Sequence, residues 1–279
     1  MKKALCLLLS IFTCVTLSVS AFAEETKNSF TPDPSGIEPI ISGPVERSIF
    51  GNDDRETVSD PTMFPYRTIA KLIIYYPNEA SPYVGTGFMY GPRSMATAAH
   101  NLYDSSKGGY ATKITAYFGA SSSSTYYAKA TASSKSNFKV PSEWIQSANM
   151  KYDYGVIVFN SSPNVGSFGM QVVKDHLLDS NQYTICGYPG IAYGDFKNLW
   201  KQVRSTGYMT SFTNDYLNFH IDMVSGQSGS PVYGADNKVI GIVTYNAGSD
   251  TYFPDSSKDE NTATRINATV SNFLMKYRT

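Results

Sequence analysis

Residues 225–234 read SGQSGSPVYG. Three serines lie among three glycines, just ahead of an apolar strand-like run. Small residues by themselves fit an ordinary turn. Ser228 differs from its neighbours because Gly226-Gln227-Ser228-Gly229 sets it in a glycine-flanked turn. Glycines let a backbone bend tightly and present N–H groups beside a hydroxyl, where they can stabilise an oxyanion. Ser225 and Ser230 lack that setting.

A serine hydroxyl needs a base of near-neutral pKa, and histidine is the natural one. The chain has 3 histidines. His100 ends the small-residue run MATAAH, His176 lies in the polar stretch VKDHLLDS, and His220 alternates within LNFHID. An imidazolium needs a carboxylate to orient and stabilise it. Asp153 stands directly before the apolar run YGVIVF, where an acid is costly to desolvate without a partner. Each of these residues also has an ordinary structural reading. Together they give one base, one acid and one nucleophile in the order His100, Asp153, Ser228.

Outward from these residues, runs rich in β-branched and aromatic residues recur between turn signals. The expected strands are 68–76, 85–90, 94–99, 113–118, 126–131, 155–159, 183–187, 202–209, 217–222, 231–233 and 239–245. Their number and short spacing predict an all-β barrel or sandwich, and no βαβ alternation argues for a parallel sheet. Only the end carries a helical period, with Ile266, Val270, Phe273, Leu274 and Tyr277 on one face.

The ends of the chain bear on its destination. Met1-Lys2-Lys3, the apolar run to Val19 and Ala21-Phe22-Ala23 read as a secretory signal, residues 1–23. Residues 24–47 are polar and rich in Pro and Gly, which fits a propeptide, with the mature protein beginning near Ser48. The expectation is a secreted, extracellular protein with no membrane attachment once the signal is removed. Cys6 and Cys14 leave with the signal, so Cys186 is a lone thiol inside the apolar stretch YTICG. Lys plus Arg and Asp plus Glu number 23 each, which gives no surface for a nucleic acid. No zinc-ligand spacing occurs and no cofactor is required. A structural calcium ion near Asn52-Asp53-Asp54 is compatible with the acidic residues there but has no specific support. A monomer is the default expectation.

The chain resembles the chymotrypsin-fold serine endopeptidases, and among them the bacterial glutamyl endopeptidase (V8-like) branch. TAAH at 97–100, YDYGVIVF at 152–159 and SGQSGSPV at 225–232 are similar to the family's three catalytic motifs, and GYPG at 187–190 and SIFGNDDR at 48–55 to branch features. His, Asp, Ser is also the chain order of that fold. The resemblance implies two antiparallel β-barrels, residues 48–165 and 166–265, followed by the C-terminal helix, with the site between them. It implies a His100–Asp153–Ser228 triad acting on protein or peptide substrates through an acyl-enzyme, and an oxyanion hole from the N–H groups of Gly226 and Ser228. Thr244, Tyr245 and Asn246 would form the edge that pairs with substrate. Two positions depart from the branch: Val243 replaces a histidine and Met223 a small hydroxyl residue, both expected to face a substrate glutamate. Asp222 stands where trypsin-like enzymes receive Lys or Arg. Glutamate preference, basic preference, a narrow toxin-like specificity and a non-catalytic binding role on the same scaffold all remain open at this level.

Overall fold

The structure is a computed structural model that describes residues 47–190, 200–245 and 260–279. The expected signal, nearly all of the expected propeptide, and Asn246 lie outside the described residues.

Two curled antiparallel sheets form half-barrels. The first has seven strands in the spatial order 138–139, 155–158, 94–97, 83–89, 69–75, 113–118, 128–132. The second has nine: eight run in the order 209–212, 216–219, 261–265, 238–245, 231–233, 183–187, 203–207, 56–57, and 169–170 lies parallel to 238–245. Strand side chains alternate between faces, and the strand Ile69–Tyr75 uses both. Ala70, Leu72 and Ile74 enter the core of the first barrel with Met95, Phe118 and Phe159. Ile69 and Ile73 enter a second core with Phe88, Tyr188 and Ile242. That second core joins the barrels. A third, around Ile185, Leu217, Phe219 and Val232, fills the second barrel.

Several strands fall where the pattern placed them: Lys113–Phe118, Tyr183–Gly187 and Pro231–Tyr233 agree residue for residue. The run expected at 202–209 is two strands, Val203–Gly207 and Met209–Phe212. The run expected at 217–222 is Tyr216–Phe219 and ends before Asp222. Asn261–Arg265 (NTATR) was not expected, because no apolar alternation marks it. All five of its residues are nonetheless buried, with polar side chains that are hydrogen-bonded. Arg265, for example, donates to the carbonyls of Thr213 and Val173 and to Asp175.

The expectation of helix only at the C-terminus is corrected. Ser142–Ser147 and Asp175–Leu178 are also helical, and both are too short to display a period. The C-terminal helix spans Ala268–Lys276, capped by the Asn267 side chain on the Val270 N–H at 3.0 Å. It contributes Val270 and Leu274 to the inter-barrel core. The Tyr90 hydroxyl donates to the Leu274 carbonyl and the Ser94 hydroxyl to the Tyr277 carbonyl, which fastens the helix to the first barrel.

The boundary drawn at residue 48 for the first barrel also needs correction. Arg47–Ser48 pairs with Met223–Val224, and Glu56–Thr57 pairs with Val203–Arg204. The start of the expected mature chain therefore lies on the second barrel. The first sheet begins at Ile69.

Candidate active site

The strand Ser94–Thr97 delivers Ala98 and then a single 3₁₀ turn, Ala99–Asn101, that carries His100. Small residues suit this run because all of Ala96, Ala98 and Ala99 are fully buried. Asp153 caps the 3₁₀ turn Met150–Tyr152 just before the strand Gly155–Val158, which pairs with Ser94–Thr97. That pairing places acid and base side by side. The His100 Nδ1 lies 2.7 Å from Asp153 Oδ2, and the His100 backbone N–H donates to Asp153 Oδ1 at 2.9 Å. Asp153 is 0% exposed. Both carboxylate oxygens thus face His100, so ring and backbone are oriented by one group. The Thr264 hydroxyl reaches the Asp153 carbonyl at 3.4 Å, and the Tyr76 hydroxyl donates to the His100 carbonyl at 2.6 Å.

Ser228 lies in the turn between the strands Met223–Val224 and Pro231–Tyr233. The two flanking glycines are required. Gly226 has φ +93°, and a Cβ there would sit 2.3 Å from the Gly190 nitrogen. Gly229 has φ +89°, and its Cβ would sit 2.1 Å from the Thr86 carbonyl oxygen. The Gly190 N–H donates to the Ser225 carbonyl at 2.7 Å. A trans peptide holds N–H opposite C=O, so this bond directs the Gly226 N–H away from Gly190. Gly226, Ser228 and His100 all line one cleft of about 210 Å³.

Three polar residues that residue-level reasoning did not single out hold this turn from the first barrel. Thr86 donates its N–H to the Ser228 carbonyl at 2.9 Å and its hydroxyl to the Gly226 carbonyl at 2.9 Å. Thr97 donates its hydroxyl to the Thr86 carbonyl at 2.7 Å. Asn101 donates to Thr97 Oγ1 and to the Ser228 carbonyl. The one signal in the sequence is adjacency, since Thr97 and Asn101 flank His100 and its alanines.

Of the expected specificity residues, Asp222, Met223, Val243, Thr244 and Tyr245 are described, and none of these lines that cleft. Met223 and Val243 are fully buried in the core of the second barrel. The Val243 backbone holds the serine turn, accepting from Gly229 N–H and donating to the Ser230 carbonyl. Asp222 is 2% exposed and accepts the N–H groups of Phe50 at 2.8 Å and Asp54 at 3.0 Å. Its carboxylate belongs to the N-terminal segment. Burial raises its pKa above the ordinary value, against the lowering effect of those two N–H donors. The Thr244 hydroxyl donates to the Thr262 carbonyl, and the Tyr245 ring lies 6.2 Å from the His100 ring.

Other candidates resolve as structural. His220 stacks on Phe50 at 4.4 Å, and His176 is exposed on the helix Asp175–Leu178. Cys186 is fully buried, and burial pushes its thiol pKa up, which disfavours a thiolate. In the acidic stretch weighed for calcium, Asp53 pairs with Arg55, and Asp54 accepts from the Ser205 hydroxyl. Among the described residues no group of three or more His, Cys, Asp or Glu could hold a metal ion.

The chain is similar to known proteins over most of its length. An extracellular metalloprotease of Bacillus subtilis (strain 168) is 33% identical over 211 residues, 75% of this chain. A glutamyl endopeptidase of Bacillus licheniformis is 34% identical over 191 residues, 67% of this chain. The chain spans 64% and 55% of the lengths of these two relatives. The solved structure of a Glu endopeptidase in complex with MPD matches with TM-score 0.66 at 25% identity, covering 82% of this chain and 98% of that one. Residues 85–242, which include His100, Asp153 and Ser228, match the trypsin-like peptidase domain. The chain belongs to the trypsin-like peptidase family.

Proposed function

We propose that the protein is a secreted serine endopeptidase in which Ser228 attacks the peptide carbonyl. His100 first takes the Ser228 proton as base and then returns it to the leaving amine as acid. Asp153 holds the His100 tautomer and stabilises the imidazolium. The N–H groups of Gly226 and Ser228 receive the oxyanion. The observation that carries the reading is the 2.7 Å contact between His100 Nδ1 and a fully buried Asp153 carboxylate, in a cleft shared with the glycine-flanked Ser228. Removal of residues 1–23 and then 24–47 would release the mature chain.

For the residue before the cut bond we propose glutamate. Two similar proteins bear glutamate in their names. The basic alternative needs a free carboxylate at Asp222, and that carboxylate is occupied by Phe50 and Asp54 N–H groups.

The test is cleavage-site mapping by mass spectrometry on a mixed protein digest, with S228A as control. Cuts after Glu that disappear in S228A are expected. Cuts clustered after Lys or Arg would overturn the glutamate preference. Equal cutting by S228A would overturn the triad. An inert but well-folded protein would favour the narrow toxin-like specificity or the non-catalytic scaffold.

A further inference from the structure

We propose that the buried Lys71 ammonium strengthens the Gly226 N–H as an oxyanion donor, acting through two intervening peptide units. The inference rests on the serine-peptidase reading.

The placement of this cation runs against the strand pattern. Within Ile69–Tyr75, Ile69 and Ile73 enter the core that joins the barrels, and alternation puts Lys71 on their face. Lys71 is 2% exposed, where an apolar residue would avoid the cost of burying a charge. Across the ladder it is paired with Thr86, whose hydroxyl and N–H hold the nucleophile turn. The Lys71 ammonium lies 5.2 Å over the Trp200 ring and donates to the Pro189 carbonyl at 3.4 Å.

From that carbonyl a line of dipoles leads to the site. The Pro189 C=O and the Gly190 N–H belong to one peptide unit and point opposite ways. The Gly190 N–H donates to the Ser225 carbonyl at 2.7 Å. The Ser225 C=O and the Gly226 N–H form the next unit, again pointing opposite ways. Each unit turns its oxygen toward the cation and its N–H toward the site of the developing oxyanion. A cation at the carbonyl end polarises both units in the same sense, and linked hydrogen bonds strengthen one another. Gly226 is buried, a setting in which fixed charge acts more strongly than in water. Lys71 does not line the cleft and acts only through these peptides, so it is a positioning residue.

The experiment compares the parent with K71M, which keeps most of the side-chain volume and removes the charge. Substrates are quenched peptides taken from the mapped cleavage sites, and rates are normalised to active serine titrated with a fluorophosphonate. K71M is expected to lower kcat about 3- to 10-fold with KM nearly unchanged, a fraction of the loss that follows removal of a whole oxyanion donor. A peptidyl trifluoromethyl ketone, whose adduct carries an oxyanion, should lose affinity by a similar factor. The matching trifluoromethyl alcohol forms no adduct and should bind both proteins equally. The carbonyl stretch of a trapped acyl-enzyme should move to higher wavenumber in K71M. K71Q keeps a polar group at the position and supplies the same comparison where K71M does not fold. Equal kcat in the parent and the charge-free variant would overturn the inference. So would equal losses for ketone and alcohol, which would make Lys71 only a support for residues 187–190. A folded parent with no titratable serine would overturn the peptidase reading itself, and this inference with it.

Discussion

The Thr86 hydroxyl donates to the Gly226 carbonyl at 2.9 Å, and the Thr86 N–H donates to the Ser228 carbonyl at 2.9 Å. One first-barrel residue thus fixes both ends of the nucleophile turn in the second barrel. The same hydroxyl accepts the Tyr188 N–H at 3.0 Å. T86V keeps the shape and the backbone bond but leaves the Gly226 carbonyl and Tyr188 N–H without that partner. A loss of about 1–3 kcal/mol is expected in denaturant unfolding. Turnover per titrated serine should also fall. Unchanged stability and turnover would show that the hydroxyl does not hold the turn.

Asp153 can be tested separately from the fold. D153N retains an acceptor for the His100 N–H but favours the wrong imidazole tautomer. A fall in kcat of about 10⁴-fold is expected at neutral pH. KM should change little, because Asp153 is buried and touches no substrate. A change of less than tenfold in kcat would remove Asp153 from the mechanism.

The turn glycines predict a graded response to alanine. Gly226 and Gly229 combine positive φ with a Cβ position against backbone atoms at 2.3 and 2.1 Å. G226A and G229A should each displace the turn and abolish reaction with a fluorophosphonate. Gly51 has φ +78° but nothing within 4 Å of its Cβ position. G51A should therefore cost only about 1 kcal/mol of backbone strain and leave the reaction intact. Equal behaviour of all three variants would contradict the steric argument.

Asp222 should couple pH to stability. Burial raises its folded-state pKa above the ordinary 3.8, so the folded protein holds this proton more tightly than the unfolded chain. Its contribution is then largest below pH 3.8 and is lost as pH rises through the folded-state value. Unfolding free energy, compared between the parent and D222N, should show this fall in the parent only. D222A removes both acceptors from the Phe50 and Asp54 N–H groups. It should loosen the segment that precedes Glu56, seen as faster amide exchange at those two residues.

The candidate site was legible to the extent that its chemistry is local. His100, Asp153 and Ser228 each sit in a short stretch whose small or apolar neighbours set them apart, and their order is a one-dimensional property. The supports were not legible. Thr86, Thr97 and Asn101 are common polar residues whose partners lie up to 140 positions away. Asp222, Met223 and Val243 were assigned by resemblance to positions that line the substrate pocket in related enzymes. In the fold all three are buried, and the Asp222 carboxylate accepts the Phe50 and Asp54 N–H groups.

The same division holds for the fold. Residue order alone determined that the chain is strand-rich, where most strands lie, and that an amphipathic helix ends it. These follow from periods of two and of about 3.6 residues, which need no knowledge of neighbours. It could not mark Asn261–Arg265, whose buried threonines and arginine have no apolar pattern. Nor could it place residues 47–57 on the second barrel rather than the first. Those outcomes depend on hydrogen-bond partners remote in sequence, such as Asp222 for Phe50 and Val203 for Thr57, and only the packed barrels bring them together.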